Sequence, residues 1–183
     1  ILLSDFVKLP KQAKVLDLGA GCGTLGLLLC AKDENCTVTG IELNEAAHTA
    51  ALENIERNNL QDRLFSICED LRSIPRQFPS GSFHCCVSNP PYFTAGFLSK
   101  STPLARHEQA CTLDDLMKSA AFALKFGGDF YLVHKPERLG ELCRVAGEHQ
   151  VVPVAPLEQI RALEGALGVR GRVQRLAVLP VVQ

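Results

Sequence analysis

Short apolar runs alternate along the chain with longer stretches whose apolar residues recur at helical spacing. "KVLDLG" (14–19) is a compact run of Val and Leu ending in glycine, and "TLGLLLCAK" after it reads as a helix. "TVTGIEL" (37–43) predicts a second strand. The next stretch, "NEAAHTAALENIERN", opens on Asn44 as an N-cap and places Ala47, Ala51 and Ile55 on one helical face. "RLFSICED" (63–70) and "FHCCVSN" (83–89) predict strands three and four. "TLDDLMKSAAFALKFGG" predicts a helix capped by Thr112 and Asp115 and stopped by Gly127-Gly128. "DFYLVHK" is the fifth strand, "ERLGELCRVAGEH" a further helix, and two β-rich stretches follow. Strands alternating with helices predict βαβ units, hence a mostly parallel sheet with helices on both faces. No repeat, low-complexity tract or linker interrupts the pattern, so residues 1–183 are expected to form a single α/β domain.

Composition narrows the class. A chain of 183 residues fits a single domain of roughly 100–200 residues. With 46% hydrophobic residues it has enough apolar side chain to fill a core. Nineteen basic against twenty acidic groups give a net charge of −1, which excludes binding nucleic acid through bulk positive charge but leaves room for a local patch. The balance is uneven. Residues 1–134 carry 12 basic and 15 acidic groups, residues 135–183 carry 7 and 5. Lys135, Arg138, Arg144, Arg161, Arg170, Arg172 and Arg175 form either one basic patch or a scattered solvated surface. Trp is absent and aromatics are 6%, which argues against a surface built on many stacked bases. No apolar run approaches the about 20 residues of a membrane-spanning helix, and no stretch reads as a signal peptide, so a cytoplasmic chain without membrane contact is expected. Cys22, Cys30, Cys36, Cys68, Cys85, Cys86, Cys111 and Cys143 form no C-x-x-C pair and no Cys/His ligand spacing. They read as reduced cysteines, mostly in the core, with no metal site.

Open α/β sheets bind ligands beyond the carboxyl ends of their strands, and the distinctive residues of this chain fall there. Gly19, Gly21 and Gly23 follow the first strand, where glycine lets backbone turn tightly and approach a ligand. Glu42 ends the second strand, 23 residues after Gly19, where a carboxylate can accept both ribose hydroxyls. The third strand ends in Glu69-Asp70, and an acid there can accept the exocyclic amine of adenine. The spacing is G-x-G-x-G rather than the G-x-G-x-x-G of dinucleotide sites, and Asp17 precedes it. An acid beside the loop repels phosphate but suits a ligand carrying an ammonium group, which points to S-adenosyl-L-methionine rather than NAD. The run "VLDLGAGCG" resembles the first motif of class I methyltransferases, and that resemblance implies a Rossmann-like, seven-stranded fold.

The fourth strand runs into "SNPPYF" (88–93). Two prolines hold the chain extended and remove two donors, fixing Asn89 at the strand end with Tyr92 and Phe93 beyond. An aryl amine is a poor nucleophile because its lone pair is delocalised into the ring. Acceptors on both its N–H bonds, here the Asn89 side-chain oxygen and the Pro90 carbonyl, favour a pyramidal nitrogen whose lone pair faces the methyl group. Tyr92 would stack on the base, which must be flipped out or unpaired to expose its amine. Asn89, Pro90 and Tyr92 are thus the catalytic candidates, with Pro91 and Phe93 lining the substrate. The N-P-P-Y run resembles amino-group methyltransferases acting on adenine N6, guanine N2 or glutamine N5.

"ARHEQACTLDDLMKSAAFALKFGGDFYLVHKPERL" (105–139), with "ILLSDFV" at the start, resembles the bacterial valine-tRNA (adenine-N6)-methyltransferase family, from Ile1 to about Cys143. The resemblance implies methylation of an adenine next to the anticodon, with tRNA as partner. It carries the family's cofactor positions onto Gly19, Gly21, Glu42 and Asp70, beside Asp17 as a candidate on its own chemistry, and its acceptor positions onto Asn89 to Tyr92. It implies a cofactor-binding half over about residues 1–80 and an acceptor-binding half over 81–183. Arg106, His107 and Glu108 match its "RHE" stretch; Arg106 either faces substrate or joins a loop ion pair. His84 stands where the family usually has Asp, and the family has a further segment before "ILLSDF". His134 reads as a partly buried strand residue, His48 and His149 as helix-surface residues. A monomer or weak dimer is expected. The other readings are a protein glutamine N5-methyltransferase, an rRNA guanine-N2 methyltransferase, or a non-catalytic adenosine- or RNA-binding module on the same fold.

Overall fold

The computed structural model describes residues 2–90, 111–134, 136–154 and 174–180. In chain order these form α1 (Leu2–Phe6), β1 (Lys14–Leu18), α2 (Thr24–Lys32), β2 (Thr37–Glu42), α3 (Glu45–Arg57) and β3 (Leu64–Cys68). A 3₁₀ turn (Leu71–Ser73) leads into α4 (Ile74–Gln77), then β4 (Phe83–Ser88), α5 (Leu113–Ala123) and β5 (Leu124–His134). A second 3₁₀ turn (Pro136–Arg138) precedes α6 (Leu139–Glu148), β6 (Val151–Val154) and β7 (Gln174–Pro180). The strands make one seven-stranded sheet in the order β3-β2-β1-β4-β5-β7-β6, and every described pairing is parallel.

The sheet is buried on both faces, which is why its central strands are continuous apolar runs rather than alternating ones. Leu16 and Leu18 of β1 pack on one face with Ile74, Leu116, Met117 and Leu142 from α4, α5 and α6. Val15 points the other way, into a second core with Leu3, Leu29, Cys30 and Ile55 from α1, α2 and α3. The α3 cap forms as its sequence predicts: the Asn44 side chain accepts the Ala47 N–H at 2.9 Å, and Ala51 and Ile55 are buried. The Thr112–Asp115 capping box on α5 is complete in both directions.

The end of α5 differs from the sequence expectation. The helix stops at Ala123, and Leu124, almost fully buried, already pairs with Phe83 as the first residue of β5. Gly127 and Gly128 lie inside that strand. The register jumps there, from Phe83↔Leu124 to Cys85↔Asp129, and Gly127 has φ +79°. The glycine pair therefore absorbs a bulge instead of terminating a helix: a Cβ on Gly128 would lie 2.9 Å from the His84 and Lys125 carbonyl oxygens.

All eight cysteines are free, but they are less uniformly internal than expected. Cys30, Cys36, Cys85 and Cys86 are buried, Cys111 and Cys143 are partly covered, and Cys22 and Cys68 are exposed. Burial pushes the Cys85 and Cys86 thiols well above their ordinary range, so these two act as small apolar side chains. Among the described residues no His/Cys/Asp/Glu group has metal-ligand geometry, and no helix is long and apolar enough to cross a membrane.

Candidate active site

Because β1 to β4 run parallel, their carboxyl ends share one edge of the sheet, and the strand order reverses direction between β1 and β4. The loop after β1 is anchored from beneath. The backbone N–H groups of Gly19 and Ala20 both donate to the Ile41 carbonyl on β2, each at 3.0 Å. Gly19 and Gly21 have φ of +75° and +55°, and a Cβ built on either meets nothing within 4 Å. The loop thus needs glycine for its backbone, and both alpha carbons border open space. That open cradle, its own amides held by β2 and Glu42, leaves the close backbone approach that a small-molecule ligand at a strand end requires.

Glu42, at the end of β2, ties the loop to the next helix. Its Oε2 accepts the Gly21 N–H at 2.7 Å and its Oε1 accepts the Asn44 N–H at 2.8 Å. One carboxylate therefore sets the distance between the glycine loop and the α3 cap. The sequence singles out Glu42 for a ligand's hydroxyls; it does not reveal this second role.

Asp17 lies beneath the loop rather than on its surface. It is 2% exposed and borders a small cavity of about 10 Å³ shared with Ala20, Gly23, Gly40 and Ala51. Burial, with the Glu42 charge as the lesser cause, pushes its carboxyl from 3.8 up to about 7, and its Oδ2 meets no hydrogen-bond partner among the described residues. Gly40, opposite Asp17 in the β1–β2 register, was not singled out in the sequence. A Cβ there would come within 2.7 Å of the Ala20 Cβ, so Gly40 is what lets the loop settle on β2. A lone glycine inside a strand was the available signal.

Asp70 follows β3 and caps the first 3₁₀ turn, its Oδ1 accepting the Arg72 N–H at 2.8 Å. The Arg72 Nε lies 2.9 Å from both carboxylate oxygens, and the guanidinium closes on Oδ2 through a second nitrogen. The Arg72 contacts hold the Asp70 carboxyl below its usual range.

On the neighbouring strand, Ser88 ends β4 and donates from its buried hydroxyl to the Leu18 carbonyl at 2.6 Å. Leu18 is the last residue before the glycine loop and Ser88 the last before Asn89, so one hydrogen bond joins the two loop origins. Asn89 itself is exposed and Pro90 buried. Pro91, Tyr92, Phe93, Arg106, His107 and Glu108 lie outside the described residues.

The remaining polar candidates find structural partners. His134 is buried at the end of β5. His48 is not a simple surface residue: its Nδ1 meets the Ser66 hydroxyl at 2.8 Å and joins α3 to β3. His149 caps α6 and meets Asp114 of α5 at 2.7 Å. Arg138, at the start of α6, pairs with Glu141, and Arg144 pairs with Glu148 on the same helix, which favours a solvated surface for these two members of the basic set.

Residues 1–152 match the family model described as the methyltransferase small domain. Among curated proteins the chain is 29% identical over 168 residues to a tRNA1(Val) (adenine(37)-N6)-methyltransferase of Photobacterium profundum, covering 90% of this chain and 70% of that protein. It is 33% identical to proteins of the same description from Citrobacter koseri and Cronobacter sakazakii, covering 76% and 81% of this chain but 58% and 61% of theirs. Among solved structures, a predicted O-methyltransferase from Agrobacterium tumefaciens superposes with a TM-score of 0.67 at 18% identity, over 99% of this chain and 85% of its own. The YcgJ protein of Bacillus subtilis does so at 0.60 and 17%, over 82% and 67%. These structural likenesses show a Rossmann-like methyltransferase fold and nothing finer.

Proposed function

The chain belongs to the methyltransferase small domain family, and from that premise we propose that it transfers a methyl group from S-adenosyl-L-methionine to the N6 amine of an adenine in tRNA, next to the anticodon of valine tRNA. The observation that carries the proposal is the Ser88–Leu18 hydrogen bond, which sets the Asn89-Pro90 step beside the origin of the glycine loop. The curated relatives described as tRNA1(Val) (adenine(37)-N6)-methyltransferases support the choice of acceptor.

When bound, S-adenosyl-L-methionine supplies a methyl group on a positively charged sulfur. The glycine cradle fits it: Gly19 and Gly21 leave the space open, and Glu42 offers carboxylate oxygens for ribose hydroxyls while retaining the Gly21 and Asn44 amides. Asp70 takes the adenine amine of the cofactor. Asp17, buried beneath the loop, is the acid of the cofactor set that suits the ligand's ammonium group. On the other strand end, the Asn89 side-chain oxygen and the Pro90 carbonyl accept the two N–H bonds of the target amine. They turn its lone pair toward the methyl group, so catalysis is mostly positioning. The positive charge passes to nitrogen, from which a proton then leaves to water without a strong base. Tyr92 supplies the aromatic face for the flipped base, with Pro91 and Phe93 beside it and Arg106 on the RNA. Residues 1–80 act as the cofactor half and 81–183 as the acceptor half of one domain in a cytoplasmic enzyme.

The test is to incubate the protein with methyl-labelled S-adenosyl-L-methionine and either unmodified valine tRNA or a glutamine-bearing protein substrate. Digested RNA should release labelled N6-methyladenosine. Label in protein, or in guanosine, would overturn the proposal.

A further inference from the structure

We propose that Arg72 is a latch on Asp70, a selectivity residue that admits the cofactor's adenine only by yielding the carboxylate to the ring's exocyclic amine. This rests on the reading that Asp70 receives that amine.

An ionised carboxylate has about four lone-pair sites. Arg72 sets three N–H donors on them, one of which, Nε–H, is shared between both oxygens. Its backbone N–H and Nε fall on Oδ1 at 2.8 and 2.9 Å, and its Nε and a terminal guanidinium nitrogen fall on Oδ2. The guanidinium lies along the edge formed by both oxygens, so an amine approaching that edge of Asp70 must displace it.

Displacement is easy in this setting. The Arg72 side chain is 41% exposed, so water takes up its donors on release. A second carboxylate also waits within electrostatic reach, that of Asp115 in the first turn of α5. Both Thr112 contacts to Asp115 fall on Oδ2, at 3.0 and 2.7 Å, so Oδ1 faces no capping donor. The backbone N–H of residue 72 stays on Asp70 throughout, holding the carboxylate in place while the side chain leaves.

The consequence is selectivity. A ring bearing an amine replaces the guanidinium with its own donor, whereas a ring bearing a carbonyl at that position presents oxygen to oxygen and leaves the latch closed. Removing the latch therefore favours the amine-bearing ligand alone. An exposed pair of this kind is worth little, so the expected gain is about two- to fivefold.

The experiment measures the dissociation constants of S-adenosylhomocysteine and S-inosylhomocysteine for the wild-type chain, Arg72→Gln and Asp70→Ala. With the latch, Arg72→Gln binds S-adenosylhomocysteine about two- to fivefold tighter and S-inosylhomocysteine unchanged, and Asp70→Ala loses the preference for the adenine form. Equal or weaker binding by Arg72→Gln, or the same gain for both ligands, would overturn the latch while leaving the Asp70 reading intact. An Asp70→Ala variant that keeps the adenine preference would remove that reading and the latch with it.

Discussion

Glu42 and Gly21 are joined by a 2.7 Å hydrogen bond, and the other oxygen of the same carboxylate holds the Asn44 amide. The residue proposed to offer its charge to a ligand thus also fixes the shape of the glycine loop. Charge-assisted hydrogen bonds of this kind are each worth about 1.5–3 kcal/mol. Glu42→Ala should therefore weaken S-adenosylhomocysteine binding by about 10- to 100-fold, measured by calorimetry. Transfer at saturating cofactor should fall much less.

Gly40→Ala should distort the loop, because the new Cβ would sit 2.7 Å from the Ala20 Cβ. Overpacking of this size costs about 1–3 kcal/mol. The direct check is the double variant with Ala20→Gly, which removes the obstructing methyl. It should restore both thermal stability and cofactor affinity lost in the single variant.

Asp17 gives a pH signature. Its carboxyl is raised from 3.8 to about 7 in the folded chain, mainly by burial. Between those two values the folded state holds a proton that the unfolded state has released, so stability falls as pH rises from about 4 to 7 and levels off above. Asp17→Asn removes this pH dependence. Its urea midpoint should exceed that of the cofactor-free wild type by more at pH 8 than at pH 5, by on the order of a few kcal/mol in stability. A pH-independent difference would contradict the burial argument.

Ser88→Ala removes the hydroxyl that ties β4 to the Leu18 carbonyl. The expected cost is about 1 kcal/mol of stability. The informative readout is kinetic: the turnover number should drop severalfold as the Asn89 step loosens, with cofactor affinity changing less than twofold.

Much of this arrangement is legible in the sequence because it depends on local chemistry. Asn44 and Thr112 sit at N-caps where their side chains outcompete water for the first amides, and α2 spans the residues its apolar run predicts. The glycines after β1 and the acid ending β2 fall where a parallel sheet must present them. What the sequence conceals depends on contacts between distant residues. The Gly127-Gly128 pair looks like a helix stop, yet the pull of Leu124 into the sheet beside Phe83 ends α5 earlier and turns the glycines into a bulge. His48 reads as surface until Ser66 arrives from β3. Arg72 reads as an ordinary charge until its four contacts to Asp70 are seen together.

The central claim is that Asn89 presents an amine to a cofactor held by other residues. The most direct measurement compares Asn89→Ala with the wild type for methyl transfer to unmodified valine tRNA and for S-adenosylhomocysteine binding. Transfer should fall by about 10³-fold or more, with cofactor affinity within about twofold of wild type, since the lost contact acts on the reacting amine alone. Transfer that persists, or affinity that collapses in parallel with it, would contradict the role of Asn89.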